Sequence, residues 1–171
     1  MSSEKNRKIA KNTLVLYFRM LFSMGVSLFT SRIVLNTLGV TDFGVYNVVG
    51  GLVTAFTLIS GSLSAASQRF ISFELGKKEN HNLRGVFSTT IIVHVFLAVI
   101  ILILSETIGL WFLNAHMNID AARMHSANWV YQFSLISFLI ALISTPYNAA
   151  IIAYEKMKTF AYIGIGEVVL K

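Results

Sequence analysis

The sequence contains no cysteine, which excludes disulfides, thiolate metal ligands and thiol nucleophiles. Charge is scarce as well. Only 13% of residues are charged, against 55% hydrophobic, whereas a soluble domain usually carries about 25% charged residues. That is too little charge to coat a water-facing surface, so a soluble domain is excluded by composition, although 171 residues would allow one by length. Catalytic signatures are missing too: there is no nucleophile motif, no metal-ligand spacing and no phosphate-cradling loop. The four histidines, His81, His94, His116 and His125, are scattered over two loops and one helix, and no metal or cofactor is implied. Proline occurs once, at Pro146, inside an otherwise helical run.

What the chain does have is long apolar runs. Residues 85–105 carry no formal charge and are mostly Val, Ile, Leu and Phe. As a helix this stretch is on the order of 30 Å long, the thickness of a bilayer's hydrocarbon core. Similar runs recur and predict an all-α, polytopic membrane helical bundle, with helices at about 12–36, 43–67, 83–113 and 127–153. A fifth helix begins near residue 160 and runs to 171, too few residues to span. The expectation is therefore a truncated N-terminal transmembrane lobe covering 1–171. The basic segment 1–11 resembles the start of a signal peptide, but no Ala-x-Ala-like cleavage site follows it, so the first helix reads as uncleaved.

The connections follow from local chemistry. Gly39 can close the first helix, and Thr41 or Asp42 can cap the second, which makes these helices antiparallel neighbours. Small residues at 60–67, SGSLSAAS, fit a close packing seam or a polar cavity wall. A short surface helix is expected at 120–125. Pro146 would kink the fourth helix, a break tolerated in a membrane only where the freed carbonyl finds a partner.

The net charge of +6 is explained by placement rather than by nucleic acid. Lys5, Arg7, Lys8 and Lys11 precede the first helix. Arg69, Lys77, Lys78 and Arg84 flank the second loop, and Lys156 and Lys158 the fourth. The alternate loops hold only Arg123. This asymmetry places the N-terminus in the cytoplasm.

Apart from Arg84 and Lys171 at helix ends, four charges fall inside the expected helices: Arg19, Arg32, Glu106 and Glu167. Such residues usually face a bundle interior or a water-filled cavity. Arg32 and Glu106 sit at comparable outer depth, where they could pair, while Arg32 could equally snorkel to headgroups or touch substrate. Arg19 and His94 share an inner depth. A pocket holding both would suit an anionic lipid head, because guanidinium offers rigid bidentate donors to phosphate. Glu106 and Glu167 are candidates for ion coupling or structural pairing.

Three stretches then resemble a known family. Residues 31–56, SRIVLNTLGVTDFGVYNVVGGLVTAF, are similar to its first-to-second helix passage, residues 64–77, SAASQRFISFELGK, to its second-helix exit, and residues 144–165, STPYNAAIIAYEKMKTFAYIGI, to its fourth-to-fifth passage. The chain resembles the N-terminal part of bacterial polysaccharide and oligosaccharide-lipid flippases, whose superfamily also holds multidrug and toxin extrusion carriers. The resemblance implies the first part of a six-helix lobe in a two-lobe transporter of the bacterial inner membrane, with no enzymatic step. The implied cargo is an undecaprenyl-pyrophosphate-linked oligosaccharide, moved from the inner to the outer leaflet for cell-surface polysaccharide or lipopolysaccharide biosynthesis. Implied partners are membrane lipids, a polysaccharide polymerase and glycosyltransferases. Arg19, Arg32 and His94 become candidate substrate contacts, and Pro146 a candidate hinge. The first helix lacks the acidic residue that many multidrug carriers of this superfamily have, which favours the flippase branch. A cation-coupled multidrug antiporter and a non-transporting membrane scaffold are the alternatives.

Overall fold

Uninterrupted apolar sequence with strong helix formers gives long helices, and here they fill nearly the whole chain. The computed structural model describes residues 2–77 and 82–170. Lys78, His81 and Lys171 lie outside the described residues. The elements are α1 (Ser2–Thr54), α2 (Thr57–Gly76), α3 (Leu83–Leu104), a π-helical turn (Ser105–Gly109), α4 (Leu110–Ala115), α5 (Ala121–Ala153) and α6 (Met157–Leu170). No strand occurs among the described residues. Three helical stretches, Ile9–Thr54, Leu83–Ala115 and Ala121–Ala153, are long and apolar enough to cross a membrane. The protein is an all-α, polytopic membrane bundle.

α1 is divided at Gly39, which has φ 76° and ψ 170°. That φ belongs to the left-handed region, which glycine enters without a Cβ clash. Residues from both arms line one cleft, from Ser23 to Val34 on one side and from Phe43 to Asn47 on the other. The chain therefore doubles back at this single residue. The expected connection over 36–42 shrinks to Gly39 alone, and Asp42 lies within the helix, bonded to Arg123 rather than capping.

The second run is not one helix over 43–67. It is the 40–54 arm of α1 followed by α2, with a turn at Ala55–Phe56. Thr54 and Thr57 donate their hydroxyls to the carbonyls of Gly51 and Thr54, competition with the backbone ladder that accompanies helix bending. α2 packs against α5, and Ser67 and Ile71 are buried in the seam. The small residues Ser60, Ser64 and Ser67 thus contribute a packing face, as close helix approach in lipid requires.

α5 is the hub, packing against α1, α2, α3 and α6. Its buried residues, Ala127, Tyr131, Leu135, Phe138, Leu142, Pro146 and Ala149, recur every three to four positions, one helical stripe. The core they form also takes Val49, Val53, Ala98, Ile101 and Leu113. α5 begins at Ala121 rather than Ala127, because the segment expected as a separate surface helix is its first turns. Asp120 caps it, accepting from the amide of Ala122 at 3.4 Å. By contrast, Leu14, Phe18, Leu21, Leu28 and Phe29 of α1 are exposed. In water such a surface would be an interaction site or an aggregation hazard, whereas hydrocarbon solvates it.

α3 and α5 run antiparallel. Phe87 meets Tyr147 edge-on at 5.5 Å. Further along, the Tyr131 hydroxyl donates to the Ser105 carbonyl at 2.9 Å, and Gln132 donates to Glu106 at 3.2 Å. At the Gly39 end of the bundle, Asn114 and Asn128 exchange amide hydrogen bonds. These contacts fix the register of the two helices. The π-helical turn widens the backbone, as single π turns do, and Tyr131 supplies a donor to a carbonyl within it.

Candidate functional site

Arg19 sits on α1 in the half of the bundle away from Gly39. Its guanidinium lies over the Phe160 ring of α6, 4.3 Å from the ring centroid. A cation over an aromatic face is attracted by the ring quadrupole. Its other neighbour is Gly164, buried one turn further along α6. Any Cβ at Gly164 would collide with the guanidinium. The glycine therefore opens the slot that lets a charged side chain lie flat between α1 and α6.

The same face of α1 continues as hydroxyls. Ser23 is one turn beyond Arg19, and Ser27, Thr30 and Ser31 follow at helical spacing. With Val26, Val34, Phe43, Tyr46, Asn47 and Val168 they line a cleft of ≈ 190 Å³ between the two arms of α1 and the end of α6. Its lining contains no charged group. Small-molecule sites are commonly about 300–1,000 Å³, so this cleft is the size of a subsite rather than a whole cargo cavity.

The remaining candidates are dispersed. Arg32 is exposed, on a different face of α1 from Arg19. The expected Arg32–Glu106 pair is not among the ion pairs of the described residues. Glu106 is in the π-helical turn and accepts instead from Gln132 of α5, because the turn and the α3–α5 register direct it to that helix. Glu167 is exposed on α6, beside Val168 of the cleft.

Nor do Arg19 and His94 share a pocket. Arg19 lies against α6, whereas His94 is 1% exposed on the core-facing stripe of α3 with Ala98 and Ile101. Its Nδ1 bonds the Thr90 carbonyl at 2.8 Å. Equal depth along two helices does not make two side chains neighbours, since each also has an azimuth. Pro146 is buried in α5, which stays helical through it.

Two polar arrangements were not foreseen. Arg123 of α5 is ion-paired to Asp42 of α1 and, at 3.1 Å, to Asp120. Asp42 and Arg123, together with Leu38, Val45, Tyr46 and Val130, line a second cleft at the Gly39 end. At the opposite end, Glu74 is 4% exposed, ion-paired to Lys77 at 2.7 Å, and accepts from the backbone amide of Asn82. The only local signal for Glu74 was an acid on the core-facing side of a helix end. Nothing local pointed to Asp42–Arg123. Among the described residues no cluster of three or more His, Asp or Glu could hold a metal ion.

The MatE family model matches residues 16–171. No curated protein and no solved structure matches the chain.

Proposed function

The chain belongs to the MatE family, in the multidrug/oligosaccharide-lipid/polysaccharide export superfamily of membrane transporters, and from that premise we propose that it serves translocation of a lipid-linked oligosaccharide across the bacterial inner membrane. The observation that supports this reading is the continuous face of α1: a guanidinium at Arg19, then Ser23, Ser27, Thr30 and Ser31 along an uncharged cleft completed by Tyr46 and Asn47. An undecaprenyl-pyrophosphate-linked sugar has the complementary order. Its pyrophosphate would be held by Arg19 through charge-assisted hydrogen bonds, and a neutral sugar would exchange hydrogen bonds with the hydroxyls. The lipid tail would remain in the bilayer, against the apolar surface of α1. No bond is made or broken. In this reading the N-terminus is cytoplasmic, and the helices form part of a six-helix lobe that rocks against a second one.

One observation favours the multidrug antiporter instead. Glu167, exposed on α6 and next in sequence to the cleft-lining Val168, is not itself part of the lining; in that reading its carboxylate would exchange a proton for an organic cation.

The test is leaflet translocation in proteoliposomes. With a fluorescent undecaprenyl-pyrophosphate sugar, the expected result is protein-dependent transfer that Arg19→Ala reduces at least about tenfold, the loss of one charge-assisted contact. Label that stays in its original leaflet while the protein expels an organic cation, with Glu167→Gln abolishing that export, would replace this reading with the antiporter.

A further inference from the structure

A cavity of ≈ 320 Å³ lies between α2, α3 and α5 at the end of the bundle away from Gly39, and the transport reading does not use it. Ile71, Leu83, Phe87 and Ala150 give it apolar walls, and Arg84 and Tyr154 complete the lining. Helical spacing gathers these groups: Leu83, Arg84 and Phe87 are three to four positions apart on α3, as are Ala150 and Tyr154 at the end of α5. The walls are fixed by packing. Ile71 is 1% exposed, and Phe87 stands edge-on to Tyr147 of α5. Arg84 and Tyr154 are exposed, and neither the guanidinium nor the hydroxyl is hydrogen-bonded or ion-paired among the described residues. Glu74, one turn along α2 from Ile71, is not in the lining; it is ion-paired to Lys77 and accepts from the Asn82 amide.

The depth of this cavity follows from the helices that form it. The membrane-crossing stretch of α3 begins at Leu83, and that of α5 ends at Ala153. The two helices are antiparallel, so both boundaries meet here, at headgroup level. Arg84 and Tyr154 stand at the boundary, and Phe87 and Ala150 lie about one turn deeper. The order from water inward is therefore a cation and a hydroxyl, then apolar surface. Charge bias alone puts basic residues on one side of a membrane, but it does not set one over a cavity between three helices. A free phosphate would leave the apolar walls to water. A zwitterionic lipid would bring its own cation up to the arginine. An anionic phospholipid has the matching order: phosphate, then glycerol and the first methylenes of its chains.

We propose that this cavity is a binding site for an anionic glycerophospholipid of the surrounding bilayer. Arg84 holds the phosphate through the planar fork of its guanidinium, which suits phosphate oxygens, and the Tyr154 hydroxyl donates to the same group. Ile71, Leu83, Phe87 and Ala150 take the glycerol and the upper part of one chain. Basic pockets between membrane helices are suited to such headgroups, and the volume lies within the common range for small-ligand sites, about 300–1,000 Å³. Because the lining comes from α2, α3 and α5 together, the bound lipid ties the three helices at one end and stabilises their packing by mass action. The site is separate from Arg19, which lies against α6, and the proposal does not depend on which cargo the protein moves.

The experiment titrates the full chain in a neutral detergent with phosphatidylglycerol, phosphatidylcholine, inorganic phosphate and undecaprenyl phosphate. Binding is read by native mass spectrometry and by the shift in unfolding temperature. The expected result is that phosphatidylglycerol is retained in preference to phosphatidylcholine and raises the unfolding temperature, and that inorganic phosphate does not displace it. Arg84→Ala should weaken phosphatidylglycerol binding about tenfold, the loss of one charge-assisted contact, while Arg69→Ala, a basic residue outside this lining, leaves it unchanged. Ala150→Phe, which fills the cavity, should expel the lipid with Arg84 still in place. Equal retention of the two phospholipids, displacement by inorganic phosphate at comparable concentration, or an Arg84→Ala chain that binds as the unsubstituted one does would each overturn the proposal. So would tighter binding of undecaprenyl phosphate than of phosphatidylglycerol that Arg84→Ala removes, since the cavity would then belong to the cargo's path. The lipid and phosphate comparisons use the unsubstituted chain, so they decide the matter even where a variant fails to fold. No arm measures transport, so a failed translocation assay leaves this result standing, and the reverse.

Discussion

Arg19 of α1 lies across α6 at the place where Gly164 withholds a side chain. The two residues are far apart in sequence and act as a knob and its slot. Gly164→Val should force the guanidinium off the Phe160 ring. The clash falls on the far end of a flexible side chain, so the cost is that of the lost cation–π contact, about 0.5–1 kcal/mol, read as a lower unfolding temperature in detergent micelles. Adding Arg19→Ala should cost little more, because the contact it removes is already lost. Additive losses in the double variant would show that the valine strains something other than Arg19.

Arg19→Lys makes a separate prediction, for binding rather than stability. Lysine keeps the charge but loses the planar fork and its stacking on the ring. Binding of a pyrophosphate-bearing lipid, followed by fluorescence titration in nanodiscs, should weaken by roughly tenfold, about the value of one charge-assisted hydrogen bond. Unchanged affinity would mean that the guanidinium serves only the α1–α6 packing.

At the Gly39 end, Arg123 bridges Asp42 and Asp120. Its side chain is 40% exposed and that of Asp42 is 47% exposed, so water screens the pair. A double-mutant cycle with Asp42→Asn and Arg123→Gln should give a coupling of about 0.2–1 kcal/mol, shrinking as salt is raised. A coupling several times larger and insensitive to salt would mark the clasp as desolvated.

The sequence made some of this plain and hid the rest. Helix existence was legible because apolar runs such as 85–105 have few alternatives in lipid. Gly39 was legible because left-handed backbone selects glycine. Joints inside helices were not: the turn at Ala55–Phe56 interrupts a run that is apolar throughout, and the π-helical turn at Ser105–Gly109 carries no residue that a plain helix would reject. Side-chain partners were the least legible. Arg32 and Glu106 agree in depth, and so do Arg19 and His94, but the azimuth of each helix and the order of packing around α5 decide contact. Asp42 and Arg123 meet only because the chain folds back at Gly39 and α5 starts early.

Tyr131 tests the joint in the third helical run. It is buried and donates to the Ser105 carbonyl. Tyr131→Phe removes the donor and keeps the ring, while the Ser105 carbonyl still accepts from the Leu110 amide, so the loss is that of one hydrogen bond, about 0.5–1.5 kcal/mol. Thermal unfolding in micelles should show that loss with helical content unchanged. A neutral substitution would mean that the turn finds another donor.

Glu74 separates two ways a buried acid can stabilise a helix end. It is ion-paired to Lys77 and also accepts from the amide of Asn82, the cap of α3. The Lys77 side chain is 41% exposed, whereas that of Glu74 is 6% exposed. Lys77→Ala leaves the Glu74 carboxylate still bonded to the Asn82 amide and removes only a half-exposed ammonium, so it should cost about 1 kcal/mol. Glu74→Ala removes the acceptor for a backbone amide bonded to a charged group, which is worth about 1.5–3 kcal/mol. Glu74→Gln keeps an oxygen for Asn82 but loses the charge, and should fall between the two. The expected order of destabilisation, measured by thermal unfolding in micelles, is Glu74→Ala, then Glu74→Gln, then Lys77→Ala. If Lys77→Ala costs as much as Glu74→Ala, the ion pair rather than the backbone cap holds α2 to the start of α3.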